Sequence, residues 1–175
     1  MIKVQGDMLL RERAAELSSR LGSCTDIQEG KIFFPSCSHP TYLTLVQKKS
    51  LISSNYILSL RTELPIEQAN EKEERIQLNR LGKLKHKGIS PLLMKIRTKL
   101  IQTPSFGKAL KLCDLEDFVI TQNKDKLILE VNPYGGGYSQ VLLPPMRLRI
   151  GISKDKWLGC SQLLHKLEKT IIKLL

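Results

Sequence analysis

The stretch Trp157-Leu-Gly-Cys-Ser-Gln-Leu-Leu-His-Lys-Leu-Glu-Lys-Thr-Ile-Ile-Lys-Leu174 sets Trp157, Cys160, Leu164, Leu167, Ile171 and Leu174 at intervals of three and four. That period puts them on one helical face, with Lys166, Lys169 and Lys173 late in the helix, where cations suit the macrodipole. A matching stripe opens the chain. Leu10, Ala14, Leu17 and Leu21 predict a helix over 7–21, with Arg11, Arg13, Glu16 and Arg20 off the stripe and Gly22 placed to end it.

Inward from these two helices the chemistry turns to strands. Ile32-Phe33-Phe34, Tyr42-Leu-Thr-Leu-Val46 and Tyr56-Ile-Leu-Ser-Leu60 are short, rich in β-branched and aromatic residues, and bounded by Pro35, Pro40 and Ser53-Ser54-Asn55. Phe118-Val-Ile120 and Leu127-Ile-Leu-Glu-Val131 flank Asn123-Lys-Asp125 and predict a hairpin. Val141-Leu-Leu143 and Met146-Arg-Leu-Arg-Ile150 follow, the last alternating with its arginines on one face.

The middle reads differently. Pro65 to about Asn79 is rich in Glu, Gln and Lys, which predicts helix. Ser90-Pro91 supplies an N-cap followed by proline at the first helical position. Leu92, Leu93, Ile96 and Leu100 then mark an amphipathic helix that stops by Thr103-Pro104, and a short helix is expected from Ser105 to Cys113. The expected fold is therefore α+β: an antiparallel sheet of six or seven strands, N- and C-terminal helices packed on one face, and a helical basic insertion over 65–113.

At 175 residues, 41% hydrophobic and 26% charged, the chain reads as one globular domain over 1–175. No apolar run reaches the length of a membrane span, and the N-terminal residues lack the apolar core of an export signal. Cys24, Cys37, Cys113 and Cys160 show no disulfide-framework spacing and are expected as free thiols of a cytoplasmic protein.

The formal net charge is +11. Arg75, Arg80, Lys83, Lys85, Lys87, Lys95, Arg97, Lys99, Lys108 and Lys111 lie between Arg75 and Cys113 without a single Asp or Glu, which leaves 18 of the 28 cations against 17 acids elsewhere. A localised positive field attracts an anionic partner. Arg80, Lys83, Lys85, Lys87, Lys95, Arg97 and Lys99 are accordingly the candidate anion-binding residues. The amphipathic helix beginning at Ser90 suits an anionic lipid surface, and the competing reading is a core-packed helix with a solvated lysine face. For nucleic acid, only Phe106 in this stretch could stack on a base, so contact without sequence readout is the most it would license.

Other constellations are thinner. Tyr134-Gly135-Gly136-Gly137-Tyr138 invites a ligand-loop reading, but phosphate loops lead into helices, and this turn leads into a strand. Cys24, Cys37 and His39 lack the second ligand pair that structural zinc requires, so no metal or cofactor is expected. No serine or cysteine sits in a nucleophilic motif. Asp114, Glu116 and Asp117 are the nearest to an acid–base pair, and a catalytic site would need them and the glycine turn to line one pocket.

At Asn132-Pro-Tyr-Gly-Gly-Gly-Tyr138, Pro144-Pro-Met-Arg147 and the final leucine-rich helix, the C-terminal third resembles small uncharacterised bacterial proteins of unknown function. That resemblance implies no activity, cofactor or site. A looser likeness in element order, to secretion-chaperone domains, conflicts with the basic charge of this chain. The functional expectation is a non-catalytic binding or accessory protein whose basic segment meets an acidic protein surface or anionic lipid. Nucleic-acid binding without sequence specificity, and an enzyme with a site scattered in sequence, are the alternatives.

Overall fold

The computed structural model describes residues 2–78, 83–141 and 145–175. The order is α1 (Ile2–Leu21), β1 (Lys31–Phe33), β2 (Thr41–Lys49), β3 (Ser53–Leu78), β4 (Leu84–Lys87), α2 (Pro91–Gln102), α3 (Pro104–Leu112), β5 (Leu115–Pro133), β6 (Tyr138–Val141), β7 (Met146–Arg149) and α4 (Lys154–Ile172). The strands form one antiparallel seven-stranded sheet whose spine is β3, which pairs with β2, β4, β5 and β6. The α+β class with helices at both ends holds.

Both terminal helices bury their expected stripes. Leu10, Ala14 and Leu17 of α1, and Trp157, Cys160, Leu164, Leu167 and Ile171 of α4, join register mates of the sheet, such as Leu43, Leu60 and Val131, in one hydrophobic core. The Trp157 indole N–H donates to the Arg13 carbonyl at 3.0 Å and ties α4 to α1. Gly22, at φ 84°, ends α1, and a Cβ there would clash with Ser36.

The middle of the chain corrects two expectations. Residues from Pro65 to Leu78 are the second half of β3, and the basic run Leu84–Lys87 is β4; among the described residues of the supposed 65–113 helical insertion, only Pro91–Gln102 and Pro104–Leu112 are helical. The composition favours helix, but Ile76 lies between Ile120 of β5 and His86 of β4, and such cross-strand partners override propensity. The predicted hairpin at Asn123-Lys-Asp125 is likewise absent. Strand β5 runs through it, because each half finds its own stretch of β3 to pair with, and Lys124 takes up the kink at φ 52°.

The ribbon of β3 and β5 bends back on itself. Lys48, opposite Asn55 near the start of β3, sits 3.2 Å from Glu116, although neighbouring Asp117 accepts from Gln77 near the end of β3. A straight strand would hold those ends roughly 70 Å apart. Register shifts between Pro65 and Asn70 and between Asn70 and Glu74 supply the bend. The helix-free face of the sheet is thereby folded inward. Ser59 there is fully buried, and Arg61 pairs with Glu130 at 3.3 Å. Burial pushes the Glu130 carboxyl above its ordinary range, against the pull of Arg61 and with help from Asp117 and Glu73.

Candidate functional site

The acid-free basic segment becomes β4 and the helix pair α2–α3. Helix α2 is fixed at its start by a buried polar network. The Ser90 backbone N–H donates to Glu74 Oε2 at 2.5 Å, its hydroxyl donates to Gln122 Oε1 at 2.5 Å, and Ser90 Oγ accepts from the Leu93 N–H at 3.2 Å. Glu74 thus sets a carboxylate against the positive end of the helix. Gly88, at φ 124°, allows this approach, since a Cβ there would overlap the Glu74 side chain.

Leu92, Leu93, Ile96 and Leu100 are buried in the core. They are therefore not available to a lipid surface, and of the two readings of this stripe the core-packed helix is the one observed. The outward side of α2 carries different apolar residues. Met94 is 55% exposed and Ile101 57%, and Leu112 at the end of α3 is 69% exposed. Ile89, just before the cap, is 85% exposed. At 100° per residue, Met94 and Ile101 lie between Arg97 on one flank and Lys95 and Lys99 on the other. Lys108, Lys111 and Leu112 share the outward side of α3, opposite buried Phe106 and Ala109.

The predicted anion-binding residues divide among three places. Lys95 and Lys99 stand on α2, Lys95 donating to the Leu174 carbonyl at 3.1 Å. Arg97 turns the other way and donates through Nε to the Leu84 carbonyl at 2.9 Å, beside Lys83. Lys85 and Lys87 project to the helix-free face, with Lys87 paired in register to Arg75, around a hollow that also holds Lys48, Glu116 and Asp117. Arg80 lies outside the described residues. Among the described residues, no acid forms an ion pair with Lys85, Lys87, Lys95, Lys99, Lys108 or Lys111.

The glycine turn is packed against its own chain. A Cβ on Gly135 would overlap the Gly151 carbonyl, one on Gly137 the Tyr56 carbonyl, and Gly136 sits at φ 82°. Tyr138 stacks on Tyr56 with ring centroids 4.3 Å apart, while Tyr134 stays exposed. The acids at the start of β5 are engaged separately: Asp114 with Lys156 at 2.7 Å, Glu116 with Lys48, and Asp117 with Gln77.

One polar cluster escaped sequence reasoning. Glu168 of α4 lies 2.6 Å from His39 Nδ1 and 3.5 Å from His165 Nδ1, beside a hollow of about 320 Å³ that includes Cys37 and Arg20. Its local signals were the Cys37-Ser-His39 and His165-x-x-Glu168 spacings, which nothing in the sequence joins. Burial, and the nearby Glu168 carboxylate, push the Cys37 thiol up, so it is a poor nucleophile. Among the described residues no group of three or more His, Cys, Asp or Glu side chains is arranged to hold a metal ion, and no helix is long and apolar enough to cross a membrane.

A family model described as a protein of unknown function, DUF3156, matches residues 23–171, far more than the C-terminal third that carried the resemblance in the sequence. The chain belongs to that family. All of β1–β7, α2 and α3 fall inside the DUF3156 match, whereas α1 precedes it. No curated protein and no solved structure matches the chain.

Proposed function

We propose that this protein is a non-catalytic binding protein that docks on an anionic membrane surface, at the cytoplasmic leaflet, through the outward sides of α2 and α3. One observation carries the reading: large aliphatic residues are exposed within a segment that holds only cations. Met94, Ile101 and Leu112 stand among Lys95, Lys99, Lys108 and Lys111. A lysine near an anionic leaflet contributes about 1 kcal/mol, and each methylene that enters the acyl region adds about 0.8 kcal/mol. Four lysines and a few methyl groups then suffice for reversible attachment without any membrane-spanning segment.

An acidic protein or a nucleic acid would use the same cations. Neither explains why aliphatic residues remain in water beside them, and base stacking lacks an aromatic platform because Phe106 is buried. The test is co-sedimentation with phosphatidylglycerol-containing vesicles, compared with phosphatidylcholine vesicles, a polyglutamate peptide and mixed-sequence RNA. Binding should favour the anionic vesicles, weaken with salt, and fall at least tenfold in Met94→Asp/Ile101→Asp. Equal binding by that variant, or stronger retention on polyglutamate or RNA, would overturn the reading.

A further inference from the structure

A groove of about 440 Å³ runs between β4 and the elbow of α2 and α3, within the usual size range of small-ligand sites. Ile101, Pro104 and the half-buried Leu110 give it an apolar wall toward α3, backed by the buried Leu100 and Phe106. Lys83 and Arg97 stand together at the β4 end, where the Arg97 bond to the Leu84 carbonyl holds the guanidinium stem in place. No acid lines it. The groove is therefore polarised, cationic at one end and aliphatic at the other.

Gly107 sharpens this picture. It lies inside α3, where glycine costs about 1 kcal/mol relative to alanine. Its backbone does not require glycine, and a Cβ would meet nothing within 4 Å. What a larger residue would do is occupy the groove. The glycine thus keeps open a space that folding alone would let a side chain fill.

We infer that this groove binds a free aliphatic carboxylate, a fatty acid, with its chain along Ile101, Pro104 and Leu110 and its carboxylate at Lys83 and Arg97. Arginine offers a planar donor pair matched to a carboxylate, and the apolar wall supplies chain-length-dependent affinity. A phosphate or a short dicarboxylate would leave that wall uncovered, and an alkylamine would meet two cations. Ile101 lies on both the groove and the outward side of α2, but the groove does not need a membrane in order to fill.

Calorimetric titration with octanoate, decanoate and dodecanoate below their micellar concentrations tests this, with dodecylamine as the charge control. Dodecanoate should bind, with affinity rising about three- to fourfold per methylene along the series. Gly107→Leu should fold and weaken dodecanoate binding at least tenfold, and Arg97→Gln should weaken it severalfold. Absence of dodecanoate binding, undiminished binding by both variants, or equal binding of dodecylamine would overturn the inference. Vesicle binding separates the two proposals. Dodecanoate binding by the wild-type protein, with no vesicle binding by any form of the protein, discards only the membrane reading. Vesicle binding without any dodecanoate binding discards only the groove.

Discussion

Helices α4 and α2 are both amphipathic, both begin at a serine N-cap and both carry lysines on the outside, yet their exposed surfaces differ in kind. Helix α4 sets the exposed Asp155 among its cations, and its one large apolar residue above 40% exposure, Ile172, is its last. Helix α2, continued by α3, has no acid and leaves Met94, Ile101 and Leu112 in water. The buried stripe of each helix explains its place in the fold. Only the outward side distinguishes a helix that merely covers a sheet from one that offers a surface to something else.

The sharpest way to break the contrast is to truncate one apolar side chain on each helix, buried on α4 and exposed on α2. Trp157→Ala empties a fully buried site and removes the indole bond to the Arg13 carbonyl, so it should cost about 3–5 kcal/mol in denaturant unfolding. Ile101→Ser should change stability by no more than about 0.5 kcal/mol, as expected for an exposed position, while measurably weakening vesicle attachment. If Ile101→Ser unfolded the protein, the outward side of α2 would be part of the core and the contrast would vanish.

Intermediate effects refine the account. Ser90→Ala removes a cap that also joins α2 to β5 and should cost about 1–2 kcal/mol. Charge reversal at Lys95 and Lys99 should lower vesicle affinity by roughly fivefold per lysine at low salt, with little change in unfolding. The same reversal at Lys85 and Lys87 tests the other half of the basic segment and should leave vesicle binding almost intact, because those residues face the folded-in side of the sheet.

The smallest effect concerns pH. Glu130 has a raised pKa in the folded state, so the folded protein binds its proton more readily than the unfolded chain does. Its contribution to stability is complete below the ordinary value of 4.5 and declines as pH rises through the raised one. Glu130→Gln should flatten the pH dependence of unfolding over that window.

How far the sequence could be read follows from where each signal is local. The stripes of α1, α2 and α4 and the Ser90-Pro91 start are periodic or capping features that need no distant partner, and they appear where expected. Pro65–Leu78 and Asn123–Asp125 failed for the opposite reason. Their local chemistry favours helix and turn, and their strand character exists only because β3 and β5 pair along their length. The basic segment was visible as charge, but its division between α2–α3 and the far face of β4 depends on a strand that composition did not announce. The exposed aliphatic residues were visible only after the core had claimed Leu92, Leu93, Ile96 and Leu100. The pairing of Glu168 with His39 joins residues 129 apart and left no trace in spacing.

The most direct measurement is the emission of a tryptophan placed at Ile101, taken as the difference from wild type, on titration with phosphatidylglycerol-containing vesicles. A blue shift that saturates with lipid, reverses at high salt and is absent for Met8→Trp on α1 is the expected result. An unshifted spectrum at Ile101, or an equal shift at Met8, would contradict a membrane-facing role for α2 and α3.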